Sequence, residues 1–201
     1  MARTDKCLST ALRAAQRGDQ DAFRRLYRAV QPRLLRYLFV LVGEAADQVT
    51  AQTWREITDG LGDFRGDFQR FRGWVTVIGR RRALEHLSGR GSPAPVHAQQ
   101  PARAAGHDDA GRVAEPLSAD AAIALIGGLP ADQGEAVLLR VVMGLDTRQT
   151  AEILGRSAEA VQATACQGLR NLADRLQRTV AAPRTADEPG AAAPHPAPGD
   201  R

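Results

Sequence analysis

The sequence predicts an all-α protein of two small helical domains, joined by a flexible linker and followed by a disordered tail. Apolar residues recur three and four residues apart along most of the chain, which is typical of amphipathic helices, and strand patterns are nearly absent. Residues 89–118 are rich in Gly, Pro, Ala and Gln and have no apolar period, while 179–201 are rich in proline. The 201 residues leave room for two small domains, which we place at 8–88 and 119–178.

Helical periodicity in the N-terminal domain predicts a four-helix unit. Asp19 and Asp21 follow a glycine and mark a helix start, and Pro32 is expected to kink or restart that helix before Gly43 ends it. A fourth helix is expected over about 69–88. The third helix, over about 45–61, should bury one face, formed by Val49, Thr53, Ile57 and Leu61.

The most informative segment reads FRGDFQRFRGW at residues 64–74 and continues as a helix to residue 87. Four aromatic residues alternate there with arginines, and three consecutive arginines follow at 80–82. Arginines bind phosphate and aromatic rings stack on unpaired bases, so the segment could hold a nucleic-acid strand outside a duplex. The alternative is a core helix with a basic solvated face, because an apolar stripe at helical spacing runs through Phe71, Trp74, Val75 and Ile78.

A helix-turn-helix pattern follows at residues 145–169. Thr147 is expected to cap a first helix, Gly155 to make the turn, and Ser157 to cap the second helix. The second helix should present an opposite, polar face centred on Ala163, Gln167, Arg170 and Asp174, with Glu159 near its start and Gln162 beside it. A plain helical hairpin is the alternative. The expected buried face consists of Val161, Ala165, Leu169, Leu172 and Leu176.

Charge is unevenly distributed between the two domains. Residues 1–88 hold 16 basic and 10 acidic side chains, whereas 119–178 hold 6 basic and 7 acidic ones. Attraction for a polyanion therefore belongs to the N-terminal domain. Since phosphate contacts supply most non-specific DNA affinity, the helix-turn-helix should bind DNA weakly by itself.

Several classes of protein are not expected from this composition. No run of about 18 apolar residues predicts a membrane span, and the N-terminus lacks a secretory pattern, so we expect a cytoplasmic protein. Cys7 and Cys166 are too far apart in sequence for a metal motif and are expected as free thiols. No catalytic grouping, metal spacing or phosphate loop appears, so neither an enzyme nor a cofactor is expected. The histidines fall at one helix end, in the linker and in the tail, at His86, His97, His107 and His195.

Taken together, the two patterned segments resemble the extracytoplasmic-function sigma factors of bacterial RNA polymerase. The similarity to that family's region 2 covers about residues 11–88, and the similarity to region 4 covers about 123–176. The matching motifs are GDQDAFRRLY (18–27), ADQVTAQTW (46–54), the 64–87 segment, LPADQ (129–133), LLRVVMGL (138–145) and TAEILGRS (150–157).

The resemblance implies a function without catalysis, in which the protein directs polymerase to specific promoters. It implies that region 2 docks on the β′ clamp helices and captures the unpaired minus-ten strand. Region 4 would sit on the β-flap and read the minus-thirty-five element, and an anti-sigma protein is a further candidate partner. The implied polymerase-binding residues are Asp47, Gln48, Gln52 and Trp54. The implied DNA-binding residues are Arg65, Phe71, Arg72, Trp74, Thr76, Arg80 and Arg81 in region 2, and Arg148, Arg156, Ser157, Glu159, Gln162, Ala163 and Gln167 in region 4.

Three positions depart from the family pattern. The docking helix usually begins Ala-Glu-Asp, but here it begins Ala46-Asp47-Gln48, with one acidic charge fewer. Gln162 and Gln167 stand where the family usually has arginine, which removes two cations from the DNA-facing helix. These departures keep two other hypotheses open: a stand-alone helix-turn-helix regulator, and a degenerate sigma-like protein that acts through protein interaction.

Overall fold

The computed structural model describes residues 2–89 and 119–181, and no β-strand occurs within these two ranges. The predicted linker lies almost wholly outside them, as does most of the predicted tail. The N-terminal half is formed by α1 (Ala2–Ala15), α2 (Gln20–Val42), α3 (Ala46–Gly60) and α4 (Phe68–Gly89), with a short 3₁₀ turn at Gly43–Ala45.

The C-terminal half packs its helices around α6 and α8. The described residues of this half run from Ala119 to Ala181. It consists of α5 (Ala119–Gly127), α6 (Ala131–Val137), a π-helical turn (Leu138–Val142), α7 (Thr147–Leu154) and α8 (Ala158–Ala181).

The start of α2 agrees with the prediction, but its course does not. Asp19 caps the helix, since its carboxylate accepts from the backbone N–H of Ala22 at 2.9 Å. The expected break at Pro32 is wrong, because α2 runs without interruption from Gln20 to Val42. Proline removes one helical hydrogen bond, that to the carbonyl of Arg28. Both residues are exposed, so water can satisfy that carbonyl.

The core of the N-terminal half joins all four of its helices. Leu12 on α1, Leu26 and Leu34 on α2, and Val49 and Ile57 on α3 are all fully buried. The predicted buried face of α3 is therefore confirmed, including Thr53 and Leu61. A side chain at Gly79 would come within 3.0 Å of Leu34, so the glycine lets α4 approach α2 closely.

The buried face of α8 agrees with the prediction only in part. Val161 and Ala165 are buried as expected, Leu172 and Leu176 are half-buried, and Leu169 is 47% exposed. Gly168 takes its place, because α6 and α8 pack so closely there that only a glycine fits. The contact face therefore follows residues 161, 165, 168 and 172, and Leu169 lies about 100° away from Gly168 around the helix.

A substitution at Gly168 tests this packing. A β-carbon there would lie 2.8 Å from Val137 Cγ2 and 3.2 Å from the Gln133 carbonyl oxygen. We expect Gly168→Ala to lower the free energy of unfolding by about 1–2 kcal/mol, because overpacking outweighs the roughly 1 kcal/mol that alanine gains in helix propensity. Urea denaturation followed by circular dichroism would measure the change.

Gly127→Ala provides the matched control. A β-carbon at Gly127 makes only an ordinary contact, 3.8 Å from Val40 Cγ1. We expect this variant to be as stable as the parent or more stable, and equal losses in both variants would contradict the packing account.

Candidate nucleic-acid interface

The aromatic residues of the 64–74 segment form one packed cluster. Trp74 stacks on Phe64 with ring centroids 5.1 Å apart, and Phe71 lies 5.7 Å from Phe64 and 6.0 Å from Trp74. Phe71 is 0% exposed, which supports the core interpretation for that residue, while Phe64 and Trp74 are half-buried. In this arrangement, only Phe64 and Trp74 of these three rings have surface available to stack on a base.

Thr76 belongs to the same buried layer of α4. Its hydroxyl donates to the Arg72 carbonyl at 2.7 Å, and the side chain is fully buried. Neither Thr76 nor Phe71 has a surface with which to contact DNA in this arrangement. Their assignment to DNA therefore stays a prediction, and here they support the helix that carries the arginines.

Arg72 and Arg80 are the two predicted DNA-binding arginines that the structure holds most firmly. Arg72 is 6% exposed and donates from Nη2 to the Gly144 carbonyl at 2.9 Å. Burial lowers the pKa of its guanidinium, Arg33 lowers it further, and Asp5 opposes the shift. Arg80 donates to both carboxylate oxygens of Glu135, and that hydrogen bonding is the main reason its pKa is raised.

The other arginines of this segment are more accessible. Arg65 donates to the carbonyls of Gly62 and Phe64 at 2.8 and 2.9 Å and remains exposed. Arg81 pairs with Glu56, which Arg82 also contacts at 2.8 Å. Exposed ion pairs of this kind contribute little to stability, so a phosphate can replace the carboxylate readily.

The predicted helix-turn-helix is present, with one correction at its first cap. Asp146, rather than Thr147, caps α7: its carboxylate accepts from the Gln149 N–H at 2.7 Å, and the Gln149 side chain accepts from the Asp146 N–H. Aspartate satisfies the cap because a carboxylate also favours the positive end of the helix dipole. Gly155 makes the turn at φ 64°, and Ser157 accepts from the Ala160 N–H at 3.2 Å.

The predicted DNA-facing surface of α8 is open. All seven predicted region-4 residues are exposed. The face of α8 is polar but weakly charged, as predicted. Two of the arginines are paired within this half, Arg148 with Glu152 at 3.1 Å and Arg156 with Asp132 at 2.6 Å. The seven residues are Arg148, Arg156, Ser157, Glu159, Gln162, Ala163 and Gln167.

The predicted polymerase-docking residues divide into a surface and its support. Asp47, Gln48 and Gln52 are exposed on α3. Trp54 is 7% exposed, packs 4.7 Å from the Tyr27 ring, and donates from Nε1 to Gln31 at 2.5 Å. Trp54 therefore supports this surface from beneath, and polymerase contact by all four residues stays a prediction.

Sequence analysis missed the contact between the two halves, which runs through Glu135. Its carboxylate accepts from Arg80 and also from the hydroxyl of Tyr37 at 3.1 Å. Burial, and then the charge of Glu135, raise the pKa of Tyr37 well above its usual range, so Tyr37 stays protonated and donates. Tyr37 lies on the apolar stripe of α2, and no local signal pairs it with a residue across the linker.

Neither a membrane span nor a metal centre is found in the part of the chain that the structure describes. No helix in residues 2–89 and 119–181 is long and apolar enough to cross a bilayer. The same ranges contain no group of three or more His, Cys, Asp or Glu side chains arranged to hold a metal ion. Cys7 and Cys166 are free and exposed.

Comparison with known proteins supports the resemblance and assigns the C-terminal half. Residues 119–172 match the family Sigma-70, region 4. The ECF RNA polymerase sigma factor BldN of Streptomyces coelicolor is 28% identical over 166 residues, and the ECF RNA polymerase sigma factor SigD of Mycobacterium tuberculosis is 26% identical over 180 residues. The chain is thus similar to the ECF sigma factors. The BldN match covers 81% of this chain and 63% of BldN, and the SigD match covers 84% of each chain.

Solved structures share the fold. The chain of CnrH, solved with the cytosolic domain of CnrY, superimposes with a TM-score of 0.56 at 21% identity, over 86% of this chain and 97% of that chain. The sigma factor RpoE from Bartonella quintana, solved with the anti-sigma factor NepR, gives a TM-score of 0.57 at 18% identity, over 77% and 96%. Residues 119–172, within α5–α8, match region 4, and by resemblance we call α1–α4 region 2 and α5–α8 region 4.

We expect the low positive charge on the face of α8 to limit its affinity for duplex DNA, and two substitutions test this expectation. We expect Gln162→Arg with Gln167→Arg to tighten binding to duplex DNA, because each arginine can add one phosphate contact. The slope of log K against log salt should then steepen by about 1.8, at roughly 0.9 per phosphate. Fluorescence anisotropy across a salt series would measure both quantities.

Gln20→Arg serves as the control, because it makes the same change at an exposed position on α2. It should leave the salt slope unchanged. An equal steepening from Gln20→Arg would show that net charge, and not the α8 face, determines binding.

Proposed function

We propose that this protein is a sigma factor that directs bacterial RNA polymerase to specific promoters. The observation that carries the proposal is the coexistence of two surfaces in one chain. A basic, aromatic α4 suits an unpaired strand, and an exposed helix-turn-helix matching Sigma-70, region 4 suits a duplex. Two weak contacts on one polymerase would supply the affinity that neither has alone.

The proposal includes partners and location. Core polymerase would bind the exposed α3 surface of Asp47, Gln48 and Gln52 through its β′ clamp helices, and region 4 through its β-flap. We further propose an anti-sigma partner, since the similar chains CnrH and RpoE were solved with CnrY and with the anti-sigma factor NepR. Such a protein acts in the cytoplasm and performs no catalysis itself.

A reconstituted transcription assay tests this function. Core polymerase supplemented with the purified protein should initiate at a discrete set of promoters in genomic DNA, and sequencing of the transcripts would identify their common elements. A protein that neither binds core polymerase nor changes initiation would contradict the proposal.

One observation favours a second candidate, a sigma-like protein that acts by protein interaction alone. Gln162 and Gln167 are exposed on the side of α8 that is proposed to face DNA. The two arginines usual in the family are therefore absent from the proposed contact surface itself. Polymerase binding without promoter-directed initiation would support this candidate. Tight duplex binding without polymerase would instead support a stand-alone regulator.

Charge reversal on α3 tests the polymerase surface. We expect Asp47→Lys to weaken binding to core polymerase about tenfold, equivalent to about 1.4 kcal/mol, because it places a cation on the proposed docking surface. Biolayer interferometry with immobilised core enzyme would measure the dissociation constant.

Asp21→Lys is a closely matched control. Asp21 is exposed and lies in the first turn of α2, as Asp47 lies in the first turn of α3, so both substitutions oppose a helix dipole. Asp21→Lys also removes an exposed pair with Arg24, which contributes little to stability. The Asp21 variant should bind as the parent does. Equal weakening in both variants would place the polymerase contact elsewhere.

A further inference from the structure

The two halves of the protein are joined by a nearly enclosed charge pair. Glu135 of region 4 accepts from Arg80 Nε at 2.8 Å and from Arg80 Nη2 at 3.3 Å. The two side chains are only 18% and 27% exposed, respectively. Tyr37, fully buried in region 2, donates to the same carboxylate. Region 4 therefore supplies the acceptor for two donors of region 2.

A second set of contacts joins the halves at the start of α4. Arg72 donates to the Gly144 carbonyl at 2.9 Å, and Gln149 donates from its side chain to the Gln69 carbonyl at 3.1 Å. Gly144 has φ +68°, and a side chain there would come within 3.1 Å of Arg72 and 3.3 Å of Arg33. The backbone of region 4 can thus approach these arginines closely only because the residue is glycine.

The apolar core continues between these polar contacts. Leu139 and Met143, at the π-helical turn of region 4, are fully buried in the same cluster as Val40 and Leu41 of α2. The polar contacts therefore lie beside a continuous apolar seam, which keeps them partly dry and strengthens each of them.

Two of the residues held at this interface, Arg72 and Arg80, are among those that the resemblance assigns to promoter DNA. A carboxylate that accepts two hydrogen bonds from one guanidinium has the geometry of a phosphate in the same role. Glu135 therefore occupies Arg80 as a phosphate would. At Arg72, the Gly144 carbonyl and the Gln69 side chain each accept one hydrogen bond from Nη2. Within the described residues, Arg72 Nε has no hydrogen-bond partner, so this arginine retains donor capacity that an anion could use.

We propose that region 4 closes on region 2 as an autoinhibitory contact, in which Glu135 and the Gly144 carbonyl occupy Arg80 and Arg72 in place of promoter phosphates. The inhibitory part rests on the proposed function, which assigns these arginines to DNA. Only the open state can bind the strand through these two arginines. The apparent affinity therefore equals the affinity of the open state multiplied by the fraction of molecules that are open.

The substitution Glu135→Gln tests the contact in the full-length protein. It keeps the size of the side chain but removes the charge that holds Arg80. We expect the closed population to fall and the affinity for a single-stranded minus-ten oligonucleotide to rise by about fivefold or more, the lower end of usual coupling between sites. Anisotropy of a labelled oligonucleotide with unlabelled protein would measure this affinity.

The protein's own cysteines provide the measurement of closure. Cys7 on α1 and Cys166 on α8 are exposed, one in each half, and accept a donor and an acceptor dye without any substitution. Resonance energy transfer should be high in the parent and lower in Glu135→Gln. Unchanged energy transfer would contradict the proposal that Glu135 holds the two halves closed. Lower transfer without a gain in DNA affinity would contradict the proposal that closure inhibits DNA binding.

Two further variants keep the test decisive. Glu44→Gln makes the same change at an exposed position in the 3₁₀ turn of region 2, so transfer and affinity should match the parent. Equal effects from Glu44→Gln would overturn the proposal. If Glu135→Gln does not fold by circular dichroism, Tyr37→Phe replaces it, because it deletes only the hydroxyl that holds Glu135 and should shift both readouts in the same direction.

The experiments distinguish a failure of the proposed closure through Glu135 from a failure of the proposed sigma function. Energy transfer is measured without polymerase or DNA, so it reports closure alone. If Glu135→Gln lowers energy transfer but the parent protein does not support transcription, the closure is supported and the sigma function is rejected. If the parent protein supports transcription but Glu135→Gln leaves energy transfer unchanged, the sigma function is supported and the closure is rejected.

Discussion

The ion pair between Arg80 and Glu135 is the interaction on which the arrangement of the two halves depends. It lies where α4 meets α6, it is largely removed from water, and it holds the buried hydroxyl of Tyr37 as well. Removing either partner leaves the other charge poorly solvated, so the pair resists disruption except by a group that replaces it. A phosphate is such a group, which is why the same contact can maintain a compact protein and yield to a nucleic-acid strand.

The different charges of the two halves make them complementary at this pair. Region 2 carries the excess of arginine, whereas region 4 presents a weakly charged α8 and supplies the acceptors that region 2 lacks. Region 4 thus complements region 2 electrostatically while leaving its own helix-turn-helix exposed. In the closed arrangement that we propose, the α8 face remains exposed, whereas Arg72 and Arg80, the arginines proposed to bind the strand, are held by region 4.

Local signals in the sequence predict local features well. Apolar spacing identifies the buried face of α3, and the Gly155 and Ser157 pattern identifies the turn before α8. The failures at Pro32 and Leu169 have local physical causes, an exposed carbonyl in one case and a tight helix crossing at Gly168 in the other. The contacts of Glu135 and Gly144 could not be predicted, because they join residues separated by the linker and depend on three-dimensional packing.

Arginine-selective modification of the unmodified protein tests the central claim most directly. Treatment with phenylglyoxal, read by mass spectrometry, compares Arg72 and Arg80 with the exposed Arg70 of the same helix. The account predicts slow modification of Arg72 and Arg80 in the free protein, and faster modification in Glu135→Gln at unchanged reactivity of Arg70. Equal rates at all three arginines in the free protein would contradict it.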